Sequence, residues 1–259
     1  MFKAKQARSP LTGNPLHNPG QSLDHAIQDL LIDRVFGLFM AGTLFTVLAL
    51  SEWLRLWLES PPKPIPLTVL ALLIWGVGYY RLMKAKRKIN ALKQGRDGEK
   101  AVGQYLEKLR QQGAEVYHDI PAPNFNVDHV VISPQGVFII ETKTLSKPVT
   151  GRAEICIRDG KVWANGREIE RNPMEQVHAI AKWVGDLLQE TTGKSYPITA
   201  VVVFPGWFVQ PDRQSRAQRI WLLNPKALPA FITAEPAVLP VADVKLASYH
   251  LSRYVRTQS

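Results

Sequence analysis

A chain of 259 residues with a formal net charge of +10 is long enough for one ordinary domain plus additional elements. The positive balance points to an anionic partner, nucleic acid or an acidic membrane surface, without choosing between them. The single cysteine, Cys156, excludes an intrachain disulfide and any cysteine-based zinc or iron–sulfur site. Its place in the apolar alternation EICI reads as a buried strand residue.

Residues 1–33 are polar, with Pro and Gly scattered through RSPLTGNPLHNPGQS. They read as a flexible segment followed by a short helix near DHAIQDLLIDR. Two apolar runs come next, Val35 to Leu50 and Pro64 to Tyr80, separated by the Pro-rich ESPPKP. Each is near the lower limit of the roughly 17–25 residues that span a bilayer. Arg34 precedes the first run; Arg81, Lys84, Lys86, Arg87 and Lys88 follow the second. Basic flanks favour the cytoplasmic side, and Trp53, Trp57, Tyr79 and Tyr80 sit where an aromatic belt would lie.

Residues 34–94 therefore predict a two-helix membrane anchor and a basic juxtamembrane helix, with the membrane met through residues 35–80. Both termini, and the domain that follows, are expected on the cytoplasmic side. A buried soluble hairpin is the competing reading. Gly37, Gly42, Gly76 and Gly78 offer small-residue contacts for homo-oligomerisation, though none has GxxxG spacing.

Gly95 is expected to end the basic helix, and residues 95–259 to form an α/β domain with C-terminal helices. RDGEKAVGQYLEKLRQQG reads as its first helix, with Val102, Leu106 and Leu109 on one face and Gly113 as the stop. AEVYHDI is a strand and PAPNF a loop. NVDHVVIS and GVFIIETK are strands joined by Ser-Pro-Gln-Gly. Asp159-Gly160 and Asn165-Gly166 mark hairpin turns. Asn172 and Pro173 open an amphipathic helix as N-cap and first residue. ITAVVVFP is a central strand, RIWLLN another strand, and PKALPAFI and DVKLASYHLSRYV helices. Trp163, Trp183, Trp207 and Trp221 are explained as core or strand-face aromatics.

Charged residues are seldom buried unless paired or metal-bound, so Asp128, Glu141 and Lys143 stand out on two apolar strands. The intervening turn places Asp128 opposite Glu141 at one end of the hairpin. Lys143, two residues beyond Glu141, shares its face. Two carboxylates suit Mg²⁺, which keeps waters for the substrate. A lysine beside them can hold a nucleophilic water and offset charge building on a phosphate. Thr142 points the other way, and its backbone carbonyl could add a ligand. His129 alternates away from Asp128 and reads as a packed histidine.

GRDGEKAV, NVDHVVISPQGVFIIETKT and NPMEQ, in this order over roughly Gly95 to Pro205, resemble the NERD (nuclease-related) domain of the PD-(D/E)xK nuclease superfamily. The resemblance implies a restriction-endonuclease-like mixed sheet flanked by helices. It implies metal-binding carboxylates at Asp128 and Glu141, a catalytic lysine at Lys143, a further metal ligand at Glu99, and a polar site residue at Gln176. Val127 stands where the motif has proline, a departure in the motif rather than in the chemistry. Plainer roles stay open: Glu99 in a first helical turn, Asp128 as a strand cap, Gln176 on the surface.

The expected function is a membrane-anchored nuclease dependent on Mg²⁺ or Mn²⁺ and acting on DNA. The alternative is a non-catalytic nucleic-acid-binding or membrane-interaction module that keeps the fold.

Overall fold

The computed structural model describes residues 16–32, 36–58, 64–147, 152–210 and 219–258. They fall into two units: residues 22–96, and residues 97–258 together with the stretch 16–21. Arg34, Val35, most of the Pro-rich ESPPKP turn and the first fifteen residues of the polar segment lie outside the described residues.

The first unit is helical, with α1 (Gln21–Leu31), α2 (Gly37–Trp57) and the start of α3 (Pro64–Gln111). Ile27 and Leu30 of α1 pack on Ala85 and Ile89 of α3, and Asp24 pairs with Arg96 at 3.0 Å. Helices α2 and α3 meet where Gly42 leaves room for the Trp75 ring; a Cβ there would lie 3.1 Å from Trp75 Cε2. Trp75 Nε1 donates to Thr46 Oγ1 at 3.0 Å, and Trp53 Nε1 to Thr68 Oγ1 at 3.2 Å. Both helices are long and apolar enough to cross a membrane, and only 11% of each apolar window is buried.

Helix α3 runs unbroken for 48 residues, so the expected break at Gly95 does not occur. A helical glycine costs about 1 kcal/mol relative to alanine, which strong helix formers on both sides offset. The missing side chain admits Leu23, whose Cδ1 would lie 3.3 Å from a Cβ on Gly95. Glu99 accordingly sits in mid-helix, and its reading as a first-turn residue falls.

The second unit is mixed α/β. Strands β1 (Glu115–Ala122), β2 (Phe125–Ser133), β3 (Gly136–Thr142), β7 (Ile198–Val203) and β9 (Ile220–Leu223) form a sheet in the order β1-β2-β3-β7-β9. The β1-β2 and β2-β3 pairs are antiparallel, and the β3-β7 and β7-β9 pairs parallel. The anticipated PAPNF loop shrinks to a turn at Pro123-Asn124, since β1 extends to Ala122. A smaller sheet, β6-β5-β4-β8, holds β4 (Glu154–Arg158), β5 (Lys161–Ala164), β6 (Arg167–Glu168) and the unanticipated β8 (Phe208–Val209).

Asp159-Gly160 and Asn165-Gly166 have positive φ at both residues, as type I′ hairpin turns require. Cys156 lies on β4 but is half-buried.

Period-two alternation sends the large sheet's side chains to two faces. Val130, Ile132, Val137, Ile139 and Val202 meet α4 (Pro173–Thr192) and α6 (Val241–Gln258) on one side. Val131, Phe138, Ile140 and Val201 meet Val102, Leu106 and Leu109 of α3 and Leu228 and Ile232 of α5 (Leu228–Thr233) on the other. Strand β7 is apolar but for the buried Thr199, because both its faces are covered.

Candidate active site

Strands β2 and β3 pair in a register that sets His129 against Ile140. The next pair along brings Asp128 beside Glu141. There the backbone ladder gives way to a side chain: the Thr142 N–H donates to Asp128 Oδ2 at 2.7 Å. The chain stays pinned to β7, because the Lys143 N–H donates to the Val203 carbonyl at 2.9 Å.

Three side chains close into a ring. Lys143 Nζ donates to Glu141 Oε1 at 2.7 Å and to Gln176 Oε1 at 2.8 Å. Gln176 Nε2 donates to Glu141 Oε1 at 2.7 Å. The ammonium has only donors and the carboxylate only acceptors, so the amide's orientation is determined by its neighbours. Glu141 is 5% exposed; a carboxylate so placed needs these two charge-assisted or polar donors. Helix α4 holds Gln176 in place. Its N-cap, Asn172, accepts from the Met174 N–H at 3.2 Å, with Pro173 at the first position.

Glu99 reaches the same end of the sheet from α3. The glycine before it explains how. A Cβ on Gly98 would overlap the Thr144 Cγ2 methyl and lie 3.6 Å from Thr142 Cγ2. Only glycine lets α3 approach the end of β3 so closely. Burial is the main influence on the Glu99 carboxyl, with repulsion from Asp119 and Glu141 added, and together they push its pKa up to about 7. Asp128 is likewise held well above the usual carboxylate range, by burial first and then by Glu141 and Glu99. Three acids here repel one another across a partly desolvated site.

The stretch 16–20 adds a contact that sequence reasoning missed. The Gly20 N–H donates to the Glu99 carboxylate. Gly20 has φ +73°. Pro19 sits against Gly103, where a Cβ would be 2.8 Å from Pro19 Cγ. His17 Nδ1 lies 2.7 Å from the Asp119 carbonyl. In sequence, only the pairing of small or imino residues could have hinted at this seat.

His129 is fully buried and faces away from Asp128, as expected. Its Nδ1 is 2.8 Å from His118 Nδ1, an arrangement that requires one ring to donate and the other to accept. Burial holds His118 down to about 4 and His129 well below the usual imidazole value.

Among the described residues, no group of three or more His, Cys, Asp or Glu side chains stands together as a preformed metal cage. Mg²⁺, however, commonly takes one or two protein carboxylates and completes its shell with water and substrate oxygens. Each acid has an oxygen engaged by a donor, while Asp128 Oδ1 and Glu141 Oε2 meet no donor among the described residues. The Thr142 hydroxyl, by contrast, is buried without a partner.

The family model of the nuclease-related domain, NERD, matches residues 94–205. That span contains Glu99, Asp128, Glu141, Thr142, Lys143 and Gln176. No curated protein and no solved structure matches the chain.

Proposed function

We propose, with residues 94–205 as a nuclease-related domain, that the chain is a divalent-metal-dependent nuclease hydrolysing phosphodiester bonds in DNA. The observation that carries this reading is the hydrogen-bonded ring of Glu141, Lys143 and Gln176 beside Asp128 and Glu99. The donor set fits a hard cation. Carboxylate oxygens are its preferred ligands, and the repulsion that adds to burial in raising Glu99 and Asp128 is what a positive ion relieves. Asp128 and Glu141 would hold Mg²⁺ or Mn²⁺, with Glu99 and the Thr142 carbonyl as further ligands. When bound, the ion supplies Lewis-acid activation of water and neutralises charge on the phosphate.

The chain's own groups do the rest. Lys143 presents an ammonium with two N–H groups already engaged and a third left for a phosphate oxygen or the attacking water. Charge developing on the phosphate is stabilised by that fixed positive group. Gln176 is a positioning residue: it ties the lysine to the carboxylate and keeps both from swinging into solvent. Asp128 is oriented by the Thr142 N–H.

The apolar helices α2 and α3 would anchor the enzyme in a membrane through residues 35–80. Lys84, Lys86, Arg87 and Lys88 would meet anionic headgroups on the cytoplasmic side, where the termini and the nuclease-related domain would also lie. The same helices are the proposed site of any homo-oligomer.

The test uses the full chain in detergent, with linear, circular and single-stranded DNA and with RNA, in Mg²⁺, Mn²⁺ or chelator. Metal-dependent cleavage is expected, reduced on the order of 100-fold or more in Glu141→Ala and Lys143→Ala. Cleavage that survives both substitutions overturns the mechanism. Salt-sensitive binding without cleavage under any metal would favour the non-catalytic module instead.

A further inference from the structure

A cavity of about 790 Å³ opens beside the small sheet. Its size falls within the ~300–1,000 Å³ range of small-molecule sites. Leu145, Ile169 and Trp207 give it an apolar floor, and Lys147, Arg167 and Arg171 line it with positive charge. The three cations are exposed and, among the described residues, none of them is in an ion pair. Of the two acids in the lining, Glu168 is already taken by Lys161 at 2.7 Å, which leaves Glu170 against three cations.

The cavity's lining begins close along the chain to the candidate active site. Leu145 is two residues beyond Lys143, and its carbonyl accepts from Trp207 Nε1 at 3.3 Å. That bond fixes the path of the chain leaving β3. The Asn165-Gly166 turn brings Arg167 to the rim. Gly206, at φ +77°, lets Lys147 lie across its backbone, where a Cβ would collide with the end of the lysine.

We propose that this cavity binds the nucleic acid strand on one side of the scissile phosphate. Lys147, Arg167 and Arg171 contact its backbone phosphates, and a base lies against the Leu145–Ile169–Trp207 floor. Three exposed cations in one lining can each meet a phosphate of an extended polyanion. Apolar surface beside such cations is the usual provision for single strands. The proposal takes its substrate class from the nuclease reading above.

The test measures binding of a short fluorescent oligothymidine to the full chain by anisotropy. The buffer contains Ca²⁺ or chelator, and salt is varied from about 50 to 200 mM. Wild type is compared with Lys147→Ala/Arg167→Ala/Arg171→Ala. For three lost phosphate contacts on a single strand, the slope of log K against log salt should fall by about 2. Affinity at low salt should drop at least tenfold. The melting temperature and its shift on adding Mn²⁺ should be unchanged in the triple variant. A wild-type slope in the triple variant overturns the proposal. Short-chain phosphatidylserine tests the other anionic occupant: a triple variant that loses the lipid but keeps the oligonucleotide also overturns it. If no DNA is cleaved under any metal yet the slope falls as stated, the nuclease reading fails and the strand site stands.

Discussion

The two ends of helix α3 obey different rules. Within residues 97–258, Val102, Leu106 and Leu109 of α3 are sealed against the sheet, with at most 2% exposed. Within residues 22–96, the same helix turns Leu72 and Tyr80 outward, each 67% exposed, and α2 does the same with Trp57 at 81%. The hydrophobic effect built into the sheet unit is satisfied internally. In the helical unit much of it is not, and so large an apolar surface marks an interaction site. One unit thus specifies its fold, while the other specifies its surroundings.

The sharpest break of this comparison is a pair of truncations. Phe138→Ala, in the sheet core, should cost about 3–5 kcal/mol. Leu72→Ala, on the outward face, should stay within about 0.5 kcal/mol of wild type in detergent. Thermal melts of both variants decide it, and equal losses would erase the distinction.

Acid provides the next test. His118 and His129 are kept neutral by burial, with folded pKa values below the ordinary 6.5. The stability this implies is present above pH 6.5. It is lost as pH falls toward 4, because the unfolded chain takes up protons that the folded one refuses. For His118 the loss reaches at most about 3 kcal/mol, and melting across pH 7 to 4 reads it. A flat profile would show that the pair is charged or open to water.

Gly98→Ala should destabilise by about 1–3 kcal/mol through overpacking and lower cleavage by displacing Glu99. Adding Thr144→Ala should restore part of both, since the clash is with the Thr144 methyl. No rescue in the double variant would show that the close approach is not the cause.

The smallest effect concerns Glu99. With its pKa raised to about 7, the metal-free protein loses stability as pH rises through that value, when the carboxyl ionises beside other acids. Glu99→Gln should therefore stabilise the metal-free protein above pH 7, by on the order of 1 kcal/mol after solvent screening. It should also weaken the stabilisation given by Mn²⁺. Differential scanning with and without Mn²⁺ checks both signs, and a destabilised metal-free variant would contradict them.

Some of this was legible in order along the chain, and some was not. Asp128, Glu141 and Lys143 could be placed together because a strand has a period of two and the Ser-Pro-Gln-Gly turn sets the register. The hairpin turns, the Asn172 cap and the apolar β7 were readable for the same local reason. Gly95 misled: glycine weakens a helix by an amount that neighbours can offset, so its composition signal did not become a boundary.

What the sequence by itself determined is therefore the strands other than β8, their register at the hairpin, and the acids and lysine that this register brings to one edge. Those follow from backbone geometry acting over a few residues. Tertiary structure alone decided that Gly98 must be bare for Glu99 to arrive, and that Gln176 closes the ring on Glu141 and Lys143. It also decided that Gly20 donates to Glu99 and that His118 meets His129. Each of those depends on how helices and strands distant in sequence pack within a few ångströms, where sterics and desolvation act and local propensity has no say.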